Sequence, residues 1–211
     1  MSIIEIKNVT LTIKKKKILD DISLDIEKGT IHALVGENGS GKTMLMKSIC
    51  GFVHPQQGSI TVQGKKVGSD VDFPDNIGLI IETPGFIPYF SGYKNLEYLA
   101  SIKNKISKKE IMEALDAVGL TEAADKHAGK YSLGMRQRLG IAQAIMENPD
   151  ILVLDEPMNG LDLKGVEFVR ELLLKLKKEG KTILITSHNT QDIEILCDNI
   201  THMEEGRILE K

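Results

Sequence analysis

The chain has 211 residues, a net charge of −3 at pH 7, 41% apolar residues and 19 glycines. That is enough for one large domain with an ordinary globular core. The acidic balance excludes a global basic field for nucleic acid, and no window reaches the roughly 18 unbroken apolar residues of a membrane span.

The N-terminus, M-S-I-I-E-I-K, lacks the charged and apolar regions of a signal peptide. Residues 2–29 read as antiparallel strands, with Ile4, Ile6 and Val9 on one face and Ile22, Leu24 and Ile26 alternating on a second strand. Lys14 to Lys17 lie between them. A short run without an interleaved aromatic favours a solvated hairpin tip over a contact with anionic lipid or nucleic acid. Glu27-Lys28-Gly29 turns the chain into an apolar strand, Ile31 to Val35.

Gly36-Glu37-Asn38-Gly39-Ser40-Gly41-Lys42-Thr43 follows, and matches the phosphate-binding pattern G-x-x-x-x-G-K-[ST] between a strand and a helix. Glycines let the main-chain N–H groups wrap a phosphate chain at the positive end of a helix. Lys42 is placed to reach the terminal phosphates, and the Thr43 hydroxyl to bind Mg²⁺.

The helix runs over 42–50 and stops at Gly51; Pro55 to Gly58 is a turn, Ser59 to Gln63 a strand, and Ile77 to Glu82 a buried strand. Residues 84–130 hold no convincing strand. Asn95 to Ile102 is helical, and Ser107 to Glu110 is a capping box opening a helix with Ile111, Leu115 and Val118 on one face and Gly119 as its stop. Tyr131 to Asn148 begins with a glycine turn and continues as a helix with an apolar stripe of Leu139, Ala142, Ile145 and Met146. Asp150 to Leu154 and Thr182 to Thr186 are further buried strands. Between them a helix over 165–178 packs through Val166, Val169, Leu173 and Leu176. A helix near 190–197 and short strands at Ile200 to Met203 and Arg207 to Glu210 close the sequence. Cys50 and Cys197 sit in apolar helical patterns without metal or redox spacing, and read as reduced packing residues of a cytosolic protein. Strands alternating with helices imply an α/β fold with a mainly parallel sheet, an N-terminal antiparallel β subdomain and an inserted helical subdomain.

Three further groups carry chemistry. An apolar strand ends in Asp155 and Glu156, which hydrophobic patterning does not explain. Beside a phosphate loop, Asp155 suits a Mg²⁺ partner and Glu156 the polarisation of an attacking water. His188 follows a predicted parallel strand at the edge where α/β folds bind ligands, placed to donate to a γ-phosphate. Ser132 reads as a helix N-cap and Gly134 as a turn residue.

The order of these segments resembles the nucleotide-binding subunit of ATP-binding cassette (ABC) transporters along essentially the whole chain. The matching pieces are the phosphate loop, the helical insertion, Tyr131-Ser132-Leu133-Gly134-Met135, the Asp155-Glu156 pair, Asn159-Gly-Leu-Asp162 and His188. The resemblance implies a P-loop NTPase with a nucleotide-binding core over 1–83 and 149–211 and an insertion over 84–148. It implies ATP and Mg²⁺ as cofactors, and a head-to-tail dimer, homomeric or with a second cassette. In that dimer Ser132 and Gly134 contact the nucleotide of the partner, and Asp162 lies in the interface loop. It implies transmembrane permease subunits on separate chains, a place on the inner face of the cell membrane, and no nucleic acid.

The departures are specific. The usual L-S-G-G-Q carries Leu133 and Met135 here, and the aromatic that usually stacks on adenine aligns with Ile13. The glutamine that usually ends the strand at Ile81 is Glu82, a carboxylate near the γ-phosphate with a catalytic and Mg²⁺-binding place. Ile80-Ile-Glu82-Thr-Pro-Gly with Tyr131-Ser-Leu-Gly-Met is similar to the bacitracin-export and lantibiotic-immunity branch, and implies export of an antimicrobial peptide or similar amphipathic cargo. Phe86, Tyr89 and Phe90 are expected either to meet the permease or to form the insertion's own small core. The alternative functions are a soluble ABC ATPase acting on nucleic acid or ribosomes, and a non-catalytic regulatory cassette. One cassette without sustained heptads and an acidic charge count against the first, and intact Lys42, Asp155, Glu156 and His188 against the second.

Overall fold

The computed structural model describes residues 1–209. Strands β1 (Ser2–Ile13) and β2 (Lys16–Glu27) form an antiparallel hairpin. Lys14 and Lys15 turn it with φ of 47° and 67°, the left-handed pair that matches strand twist in a two-residue loop. All four lysines of the run are exposed, with Lys14 and Lys15 in the turn and Lys16 and Lys17 opening β2. Next come β3 (Ile31–Val35), α1 (Lys42–Ile49), β4 (Gln57–Val62), β5 (Lys65–Lys66) and β6 (Ile77–Ile80). Helices α2 (Gly92–Lys103), α3 (Lys108–Ala117) and α4 (Leu133–Ile145) follow. The chain continues through β7 (Ile151–Leu154), α5 (Leu163–Lys178), β8 (Thr182–Thr186), α6 (Thr190–Leu196), β9 (Asn199–Glu204) and β10 (Arg207–Ile208).

Two sheets result. One is antiparallel, in the order β2-β1-β4-β5, and the other runs β10-β9-β3-β8-β7-β6. In the second sheet every pair but β9–β10 is parallel. Its central strands alternate between two cores, as the two-residue period of a strand demands. Ile151, Val153, Leu184 and Leu34 face the antiparallel sheet and α1. Leu152, Leu154, Ile183, Ile185 and Ala33 face the helices. Both cysteines are free thiols, Cys50 fully buried and Cys197 partly so, and burial pushes each up to about 12.

Several boundaries differ from the sequence reading. Strand β4 begins two residues early, because Gln57 pairs with Thr10 of β1. Strand β5 carries two lysines and no apolar signal. Strand β6 ends at Ile80 instead of Glu82: Glu82 has φ 64°, which leaves the extended region. Helix α2 starts earlier than read, at Gly92, because the Ser91 side chain caps it by accepting from Lys94 N at 3.1 Å. Helix α5 likewise starts at Leu163, capped by Asp162. The Ser107–Glu110 capping box is present as read. Glu210, the last residue of the predicted closing strand, lies outside the described residues.

Candidate nucleotide site

The parallel strands β3, β6, β7 and β8 all end at one edge of the sheet, and the segments leaving that edge line an open cavity of about 570 Å³. Side-chain and backbone groups of Asn38, Gly39, Gly41, Lys42, Thr43, Glu82, Asp155, Glu156 and His188 share it. Open α/β sheets bind ligands in this position.

The phosphate loop is held in shape by close contacts. A Cβ on Gly36 would lie 2.1 Å from Met203 O, so β9 excludes any side chain there. Gly41 has φ 104°, and a Cβ would meet Ile18 O at 2.9 Å. The Lys42 ammonium curls into the loop and donates to Gly36 O at 2.7 Å and Glu37 O at 2.9 Å. Burial pulls this ammonium below its ordinary range, while Glu156 and Asp155 pull it back up. Such a cation bound to carbonyls has its charge free for an arriving anion.

Thr43 Oγ1 donates to Asp155 Oδ2 at 2.8 Å, and Thr186 Oγ1 donates to Asp155 Oδ1 at 2.7 Å. Thr186 Oγ1 also accepts from Glu156 N at 2.8 Å. One hydrogen-bonded chain therefore links α1, the end of β7 and the end of β8. Glu156 has φ 50°, a strained conformation for a residue with a side chain, costing on the order of 1 kcal/mol. It turns the carboxylate into the cavity, where Oε1 is buried and lies 3.3 Å from His188 Nε2 without hydrogen-bond geometry. Burial raises the Glu156 carboxyl above the ordinary range, against the lowering effect of His188 and Lys42. A raised carboxyl beside a cavity is suited to take a proton.

Glu82 reaches the cavity rim, but its carboxylate pairs with Lys47 of α1. Ile13 is not brought there. It sits at the hairpin tip opposite Lys16, 40% exposed, and the apolar wall comes from Ile18 instead. Ser132, Gly134 and Asp162 also lie outside the cavity. Ser132 caps α4 by accepting from Met135 N at 3.2 Å, and Asp162 caps α5 by accepting from Gly165 N at 2.9 Å. Gly134 packs against the 160–161 backbone. Phe86 packs on the larger core, while Tyr89 stays 70% exposed with Phe90 at 5.4 Å between ring centroids.

Sequence reasoning missed Thr186, Gln137, Asn159, Lys16 and Ile18. Gln137 is buried on α4 and donates to Glu156 O and Pro157 O, both at 3.2 Å, bracing the acidic turn. Its signal was a polar residue one helical turn before the buried Ile141. Thr186 had a similar signal, a hydroxyl directly after the apolar run Ile183 to Ile185. The residues that fit Mg²⁺ are Thr43 and Asp155, since this ion takes one or two protein oxygens and fills its shell with phosphate and water. Among the described residues no cluster of three or more His, Cys, Asp or Glu forms a closed metal cage.

The ABC transporter family matches residues 19–159, from β2 through the phosphate loop to Asn159. The chain belongs to the ABC transporter family. It is an ATPase of the cassette type, and its nucleotide is ATP or its product ADP. An ABC transporter ATP-binding protein of Bacillus subtilis, YybJ, is 49% identical over 97% of this chain and 94% of its own length. The bacitracin transport ATP-binding protein BcrA of Enterococcus faecalis is 41% identical over 99% of this chain and 68% of its own length. The dimeric, post-hydrolysis cassette MJ0796 bound to ADP and Pi superposes with a TM-score of 0.89 at 26% identity, covering 98% of this chain and 97% of that one. No helix among the described residues is long and apolar enough to cross a membrane.

Proposed function

We propose that this cassette drives permease subunits on separate chains at the inner face of the cell membrane, and that the cargo is an exported antimicrobial peptide of the bacitracin or lantibiotic kind. The observation that carries the cargo is the bacitracin transport relative, which matches 99% of this chain. Division into a core over 1–83 and 149–211 and an insertion over 84–148 belongs to the same reading, with Tyr89 exposed on the insertion for the permease.

The residue roles follow from the cavity. The phosphate loop and Lys42 hold the β- and γ-phosphates. Mg²⁺, held by Thr43 and Asp155, would neutralise charge on the phosphate oxygens. Glu156 orients a water and accepts its proton as the water oxygen adds to the γ-phosphorus and the bond to the bridging oxygen breaks. His188 donates to the γ-phosphate and helps orient Glu156 or the water. Glu82, on the rim, adds a carboxylate whose charge Lys47 offsets. Ser132, Gly134 and Asp162, outside their own cavity, serve the nucleotide of the second cassette in a head-to-tail dimer. A serine-capped helix N-terminus is an anion site. Dimeric assembly of the related MJ0796 cassette supports this.

The test is a pull-down of tagged Glu156→Gln from host membranes, with and without Mg-ATP. Stoichiometric recovery of a polytopic membrane protein is the expected result. Recovery of the cassette alone, or with ribosomal or DNA-bound proteins, overturns the transporter reading. In the same variant ATP binding persists while turnover falls at least about tenfold, as for loss of a base.

A further inference from the structure

His188 projects into the cavity from the short connection between β8 and α6, with its side chain 54% exposed. Its imidazole meets Glu156 at 3.3 Å, outside hydrogen-bond geometry, so that contact does not fix the ring. What fixes the connection lies one residue earlier. Ser187, 5% exposed, accepts from Asn189 N at 3.1 Å, so its hydroxyl closes the backbone around His188. The same hydroxyl donates to Asp192 Oδ2 at 3.0 Å. The other Asp192 oxygen accepts from Arg170 Nε at 2.8 Å and from a terminal guanidinium nitrogen of the same arginine. Asp192 and Arg170 are 3% and 12% exposed at their side chains.

We propose that Ser187 and the buried Arg170–Asp192 pair are positioning residues that hold His188 at the γ-phosphate. An ion pair removed from water is a poor way to gain stability, because desolvation offsets most of its attraction. Both oxygens of this carboxylate are committed, one to a rigid guanidinium on the 16-residue helix α5 and one to the residue beside His188. The arrangement therefore ties to α5 the seven-residue helix α6, which packs on the core through Ile193 and Leu196, and the connection on which His188 and Asn189 are exposed. It rests on the role given above to His188.

The experiment compares wild type, Ser187→Ala, His188→Ala and the double variant by Mg-ATP turnover, KM and thermal midpoint. In Ser187→Ala, kcat falls about tenfold with KM within about twofold, and the double variant is no slower than His188→Ala alone, because both changes remove one function. Asp192→Asn and Arg170→Met follow Ser187→Ala, and Arg170→Lys, which keeps the charge, loses less of the rate than Arg170→Met. A purely structural role moves the thermal midpoint and multiplies the two losses in the double variant, which overturns the proposal. So does wild-type turnover in Ser187→Ala with a slow His188→Ala. Wild-type turnover in His188→Ala removes the role of His188 itself, and both readings fall together.

Discussion

Thr43 Oγ1 donates to Asp155 Oδ2 at 2.8 Å across 112 residues of sequence. The phosphate loop's helix and the acidic end of β7 are thus tied directly to each other. Thr43→Val removes the hydroxyl at nearly constant volume, whereas Thr43→Ser keeps it. The Mg²⁺ concentration for half-maximal hydrolysis rises about tenfold in the valine variant and stays near wild type in the serine variant. An unchanged demand in Thr43→Val would remove Thr43 from the cation site.

Ile18, not Ile13, walls the cavity. Truncating a contacting isoleucine to alanine forfeits about 1 kcal/mol of apolar contact, so Ile18→Ala raises the KM for ATP about fivefold. Ile13→Ala, at the exposed tip, leaves it within about twofold. The opposite ranking would return the base to Ile13.

The Lys47–Glu82 pair sits at the rim with Glu82 65% exposed, so its contribution to stability is within about 1 kcal/mol. Its electrostatic effect on an anionic ligand is the more useful observable. Lys47→Met uncovers the Glu82 charge and raises the KM for ATP about threefold, and adding Glu82→Gln returns it toward wild type. A KM that ignores both changes places Glu82 outside the reach of the phosphates.

His32 of β3 is 4% exposed, holds Thr201 Oγ1 at 2.8 Å through Nε2, and leaves Nδ1 unpartnered. Burial lowers its pKa from 6.5 to about 4. The unfolded chain therefore takes up a proton between pH 6.5 and about 4 that the folded chain refuses. Stability is full above pH 6.5 and declines as pH falls through that window, by up to roughly 3 kcal/mol. Urea midpoints of His32→Gln decline less over the same window than those of wild type; parallel curves would show that other groups carry the acid sensitivity.

The contiguous features were readable in sequence. Gly36 to Thr43 is a local motif whose function lies in its own backbone, and its helix begins where the motif ends. Strand alternation in β3, β7 and β8 and the capping box at Ser107 are likewise set by neighbours a few residues apart. The adjacency of Asp155 and Glu156 at a strand end marked the acidic turn, but not the left-handed conformation that aims Glu156.

What only the tertiary structure decided depends on which strand ends meet. Thr186 bridges Asp155 and Glu156 because β8 lies beside β7, and Gln137 reaches the same turn because α4 packs beneath it. Counting back from Ile18-Leu19 reached Ile13, but a two-residue turn folds Ile13 against Lys16 and leaves Ile18 lining the cavity. Glu82 was read as a strand end, and its positive φ takes it out of the strand at the cavity rim, where it meets Lys47. Local periodicity encodes elements because each residue answers to its near neighbours. The site is written by sheet order, which brings together residues that share no local pattern at all.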